Sequence, residues 1–136
     1  MTSSPKSSNA WHISLWIVQG ILAASLIWAA GMKLFQPAET LAGMWPWAGQ
    51  VPKGLLKLTG LVDLSAGLGL VLPALLRIRP KLTPLAAIGV VVLMVVASVF
   101  HISRGEGSQI GPNIVFALLA GFVAWGRYQK APIPPR

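Results

Sequence analysis

Four stretches of mostly apolar residues, at about 11–35, 54–76, 82–103 and 112–128, alternate with short segments that hold most of the prolines and charges. A hydrocarbon core of ~30 Å needs about 20 apolar residues per helix, and each stretch comes near that length. Period-two alternation is absent, and an open sheet edge cannot satisfy its backbone in lipid, so strands are not expected. The pattern predicts an all-α fold, an integral membrane antiparallel four-helix bundle over residues 11–128. Residues 1–10 read as a disordered N-terminal segment and residues 129–136 as a Pro-rich polar C-terminal tail. The first apolar stretch is too long for a typical signal-peptide core, so an uncleaved first span is expected. Pro112 suits the first turn of the fourth helix, where its missing N–H is not needed.

Composition sharpens this reading. Of 136 residues, 54% are hydrophobic and 10% charged, more apolar surface than a soluble domain of this size can hide. The net charge of +8 does not indicate nucleic acid, because the cations sit at the ends of the apolar stretches and form no basic stripe. Without cysteine, thiol chemistry, Cys-ligated zinc and iron–sulfur ligation are excluded. Lys6, Arg77, Arg79, Lys81, Arg127, Lys130 and Arg136 fall on one side of the expected topology, and Lys33, Lys53, Lys57 and Arg104 on the other. Seven against four places both termini in the cytoplasm of a multi-pass protein of the bacterial cytoplasmic (inner) membrane.

The same topology collects the acids. Glu39, Asp63 and Glu106 are the only carboxylates in the side chains, and all belong to the non-cytoplasmic half. Asp63, about eight residues into the second helix at 1.5 Å each, lies ~12 Å deep. An unpaired carboxylate there costs about 3 kcal/mol, so it marks a functional site unless a structural partner explains it. Gly60, Asp63 and Gly67 share a helix face with Leu56 and Leu70, and small residues on that face point it inward. Thr59, one turn before the acid, is a local hydrogen-bond donor. On the third helix Val90, Met94, Ala97 and His101 form one stripe with Ser98 beside it. On the fourth, Asn113 heads a seam of Ala117, Ala120, Gly121 and Ala124.

If these faces converge, Asp63, His101 and Asn113 line one outward-facing cavity. Lys33, at the outer end of the first helix, is the preferred partner of Asp63, and Arg104 is its rival. Each residue also has a plainer role: a snorkelling lysine, an interfacial histidine, an asparagine that caps or joins helices. Gln19 and Ser14 in the opposite half read as helix-to-helix hydrogen-bonders. The long segment from Gln36 to Lys53 has one or two helical turns before Trp45-Pro46-Trp47. Glu39, Trp45 and Trp47 are candidates for a lid over the cavity mouth, although tryptophans at this level ordinarily form an interfacial belt. There is no HExxH, phosphate-binding loop, hydrolase triad or paired-histidine haem arrangement, and no metal site is expected. The outer acids and His101 suit either acid/base work or a structural ion network, so no catalytic set is assigned.

Several segments, in order, carry a family likeness: Ala30-Gly31-Met32-Lys33-Leu34; Leu58 to Asp63 with Gly67-Leu68-Gly69-Leu70 and Pro73; Val99-Phe100-His101 with Arg104-Gly105-Glu106; and Pro112-Asn113 followed by Gly126-Arg127. Over about residues 13–128 the chain resembles the DoxX-like family of small four-helix membrane proteins. The second-helix acid in such proteins is commonly Glu, so Asp63 is a departure. Some relatives look like membrane subunits of thiosulfate:quinone oxidoreductases, and more distant ones are similar to chaperones that assist membrane-receptor assembly.

Two functional expectations follow. In the first, the cavity binds a quinone or lipid, with the chain acting as a membrane subunit of a redox system, and His101 and Asp63 could exchange protons with a quinone head. In the second, the chain is a non-catalytic assembly or scaffold protein whose Trp-rich loop binds another membrane protein. A proton-coupled carrier ranks third, because four short helices leave little room for inverted repeats.

Overall fold

The computed structural model describes residues 5–134. Among them the fold is all-α: α1 (Pro5–Phe35), α2 (Ala38–Ala42), α3 (Lys53–Leu76), α4 (Leu82–Ser103) and α5 (Gly111–Trp125), the last continuing into a π-helical turn, Gly126–Lys130. Two 3₁₀ turns, Pro46–Gly49 and Gly107–Gln109, sit in the connections. Helix α1 starts at Pro5 rather than near residue 11, so residues 5–10, expected to be disordered, continue the helix; residues 1–4 lie outside the described residues. Pro112 occupies the first turn of α5, as its lack of an N–H favours.

Three helices, within Asn9–Phe35, Lys53–Leu76 and Leu82–Ser103, are long and apolar enough to cross a membrane. Helix α1 packs chiefly on α3 and α4 on α5, with α3 against α4 and a lesser contact between α1 and α5. The interior is a cluster built from Leu22, Leu26, Leu70, Val90, Met94 and Val123 with small residues between them. Outward positions are equally apolar: Leu118, Val99 and Ile13 are 70%, 61% and 59% exposed. Repeated large apolar side chains on the outside are the signature of a protein solvated by lipid rather than water.

The buried face of α3 is Leu56, Gly60, Asp63, Gly67, Leu70 and Ala74, the stripe that small-residue spacing predicts. Two glycines set how closely α1 approaches. A Cβ on Gly60 would stand 3.0 Å from Lys33 Cβ, and one on Gly67 would stand 2.8 Å from Ile27 Cγ1 and 3.2 Å from the Ala23 carbonyl oxygen. Close backbone approach of this kind is what glycine supplies in helix pairs. Gly121, by contrast, has nothing within 4 Å of an added Cβ. The expected α5 seam therefore makes its close contact elsewhere, at Gly126 against the Leu15 side chain.

Pro73 lies inside α3 and cannot donate to the Gly69 carbonyl four residues earlier. Thr83 Oγ1 on α4 donates to that carbonyl at 3.1 Å, and Gln19 Nε2 on α1 donates to the next one, Leu70 O, at 2.6 Å. The gap that Pro73 leaves in the α3 hydrogen-bond ladder thus becomes a bonded junction of three helices, as buried backbone requires. Ser14, expected to bond between helices, is exposed instead.

The segment between α1 and α3 is folded back as a small layer. Leu41, Ala48 and Leu56 form its buried centre, with Met32, Trp45, Trp47 and Val51 packed around them.

Candidate functional site

Lys33 Nζ donates to Asp63 Oδ2 at 2.7 Å, with the two side chains 12% and 6% exposed. The geometry follows from the helix contact already described: Gly60, one turn before Asp63, lets the stem of Lys33 pass against α3. At this burial the pair attracts more strongly than in water, and each charge would be costly without the other. Thr59 does not join them; its Oγ1 donates to Leu56 O at 2.7 Å within α3.

Arg104, the rival cation, is engaged elsewhere. Its Nε donates to Glu106 Oε1 at 3.1 Å, and its Nη2 donates to Gln50 Oε1 on the folded-back segment. The same Glu106 oxygen accepts from His101 Nδ1 at 3.0 Å. A left-handed Gly105, φ 74°, turns the chain after α4 so that Glu106 comes back beside His101, a conformation glycine adopts without strain. Glu106 therefore fixes the orientation of His101 and leaves Nε2 as the ring's second nitrogen. The sequence groups Glu106 with the outer acids without pairing it to His101 or Arg104. Its five-residue spacing from His101 across Gly105 was the available signal.

Hydrogen bonds, first from Arg104 and then from His101, hold the Glu106 carboxyl below its ordinary value of 4.5. Its link to folding is therefore complete above 4.5 and lost as pH falls through the lowered folded value. Carboxyl ¹³C titration should give Glu106 a midpoint under 4.5, and Arg104→Gln should move it up; an unmoved midpoint would remove Arg104 as the chief cause.

Between α1, α3, α4, α5 and the folded-back segment lies a cavity of about 1110 Å³. Lys33, Asp63, His101 and Asn113 all line it, together with Met94 and Phe100. Asn113 Nδ2 is buried and has no hydrogen-bond partner among the described residues. An orphaned buried amide costs roughly 1–3 kcal/mol.

Trp45 and Trp47 also line the cavity. Lys33 Nζ stands 5.7 Å and 5.4 Å from their ring centroids. Trp45 meets Trp28 of α1 edge-on at 5.9 Å, and Trp47 meets Phe100 of α4 edge-on at 6.0 Å. The indoles thus tie the segment to two helices and to the cation. Glu39 is exposed on α2 and does not line the cavity, because Leu41 is the residue that α2 buries.

The opposite end holds a polar group that sequence reasoning treated as a boundary charge. Arg127 is 3% exposed, and its Nε donates to Gln19 Oε1 at 2.6 Å. Its deep position follows from the π-helical turn that carries it and from the close approach of Gly126 to Leu15.

No group of three or more His, Cys, Asp or Glu among the described residues could hold a metal ion. No curated protein and no solved structure matches the chain. A family model does match, over residues 17–123, a range that takes in Lys33, Asp63, His101 and Asn113 together, and the chain belongs to the DoxX-like family.

Proposed function

We propose that this DoxX-like protein is a four-helix antiparallel bundle of the bacterial cytoplasmic membrane, with both termini in the cytoplasm. Its outward cavity binds an amphipathic molecule, a quinone or a lipid. The observation that carries the reading is the buried, unpartnered Asn113 amide in a cavity of about 1110 Å³ that also holds the Lys33–Asp63 pair and His101. Ligand sites of this kind are mostly apolar with a few convergent polar groups.

The residues suit a hydrogen-bond-accepting head. Asn113 Nδ2 would donate to a carbonyl or ester oxygen after a small turn of its side chain, His101 would offer Nε2 while Glu106 holds Nδ1, and the Phe100–Trp47 pair would form an aromatic wall beside a flat ring. Val96 and Trp28, which line the cavity while more than half exposed, give a tail a route between helices toward lipid. A bound quinone would supply two-electron redox chemistry, consistent with a membrane subunit of a redox system.

Protein purified from native membranes should retain a quinone or lipid detectable by mass spectrometry. Asn113→Leu removes the donor without removing volume, and retention should fall about tenfold, the effect of ~1.4 kcal/mol from one lost hydrogen bond. Asp63→Asn should reduce it as well. Unchanged retention of every quinone and lipid class in both variants would end the ligand reading.

A further inference from the structure

The Arg127 end holds a second buried polar cluster, separate from the cavity that contains Lys33 and Asp63. Arg127 Nη1 donates to His12 Nδ1 and to Ala131 O, each at 2.9 Å, and the guanidinium lies 5.5 Å from the Trp16 ring centroid. A His12 nitrogen that accepts from arginine belongs to a neutral ring, so all these partners, Gln19 included, are uncharged. Arg127 Nη2 is buried with no partner among the described residues.

No side-chain carboxylate is left to serve it. The sequence has three: Asp63 pairs with Lys33, Glu106 pairs with Arg104, and Glu39 lies exposed on α2. A guanidinium buried to this degree without a counter-charge among the described residues is costly, and an anion supplied from outside relieves that cost.

Beside it is a cavity of about 330 Å³ lined by Arg127, Lys81 and Tyr128 among prolines 80, 84 and 132. Lys81 and Tyr128 are exposed, and Arg77, Arg79 and Lys130 lie near them in sequence. The turn before α4 and the first residue of that helix also expose apolar side chains: Ile78 and Leu82 are 53% and 45% accessible. A buried cation, an exposed cation and an apolar flank match the head and chain of an acidic phospholipid, the class that basic pockets at cytoplasmic helix ends take.

We propose that this cavity binds an anionic phosphate group, with Arg127 as its buried charge, Lys81 as its second cation and the Tyr128 hydroxyl as a further donor. Arginine suits phosphate because its donors lie in one plane and its charge never titrates away.

The test titrates the purified full-length protein in a neutral detergent with phosphatidylglycerol, phosphatidylcholine or inorganic phosphate, following bound mass by native mass spectrometry and Tm by scanning fluorimetry. Phosphatidylglycerol should bind and raise Tm where phosphatidylcholine does not. A rise with inorganic phosphate that competes with the lipid would support the same site with a free anion as occupant. Lys81→Gln should weaken binding about fivefold, as removal of one cation near the surface implies, with no loss of fold. Arg127→Gln should abolish it, and Lys81→Gln keeps the test decisive if that variant does not fold. Absence of any effect from both phosphatidylglycerol and phosphate, or wild-type affinity in Lys81→Gln, would overturn the proposal.

Discussion

Lys33→Met should destabilise the protein by about 3–5 kcal/mol, because it leaves Asp63 buried without its cation. Met keeps the length and apolar stem of the lysine, so the loss reports the charge and its hydrogen bond rather than a cavity. Asp63 has no other hydrogen-bond partner among the described residues, since Thr59 bonds within its own helix and Arg104 is held by Glu106 and Gln50. The double variant Lys33→Met/Asp63→Leu should recover most of the loss, as apolar replacements of buried ion pairs commonly do. Equilibrium unfolding of the four proteins of this cycle in one detergent gives the coupling directly. A Lys33→Met protein as stable as wild type would mean that the pair contributes nothing to the fold.

Gly67→Val is the second large effect, with an expected loss of about 1–3 kcal/mol or more from overpacking. The new Cβ would meet Ile27 at 2.8 Å, which a side chain can yield, and the Ala23 carbonyl at 3.2 Å, which a helix backbone cannot. Helix α1 must then shift away from α3, and Lys33 moves with it. Gly121→Ala is the contrasting case, since no atom beyond its own stretch of helix backbone lies within 4 Å of the added Cβ. There the change should be neutral or stabilising by up to ~1 kcal/mol, the usual gain in helix propensity. Thermal unfolding of both variants side by side checks the contrast; equal losses would show that the glycines do not differ in packing.

The parts of the molecule legible in the sequence are those set by periodicity. Gly60, Asp63 and Gly67 recur at helical spacing, so the inward face of α3 could be read from residue size alone. Lys33 followed from the position of Asp63, because few cations lie at that end of the chain. Glu106 was harder to place, since its role depends on a left-handed turn at Gly105 that spacing does not specify. The burial of Arg127 is hidden from sequence for a related reason: at a helix end an arginine ordinarily reaches the interface, and here the π-helical turn and the Gly126–Leu15 contact draw it inward. The α5 seam ran past its true contact because small residues are necessary for close approach but do not ensure it, as Gly121 illustrates. Gln19 was recognised as a joining residue, but its partner carbonyl lies beside Pro73, a pairing that requires three helices to be placed first.

Tight contacts between α1 and α5 are unevenly spread along the pair. At the Arg127 end, α1 and α5 are locked by Leu15 on Gly126 and by Trp11 against Phe122 and Trp125, whereas at the Lys33 end a large void lies between them. The free energy of local opening falls where few apolar contacts must be broken. Amide hydrogen exchange is therefore expected to be faster where α1 and α5 flank the void than at the Arg127 end, where they are clamped together.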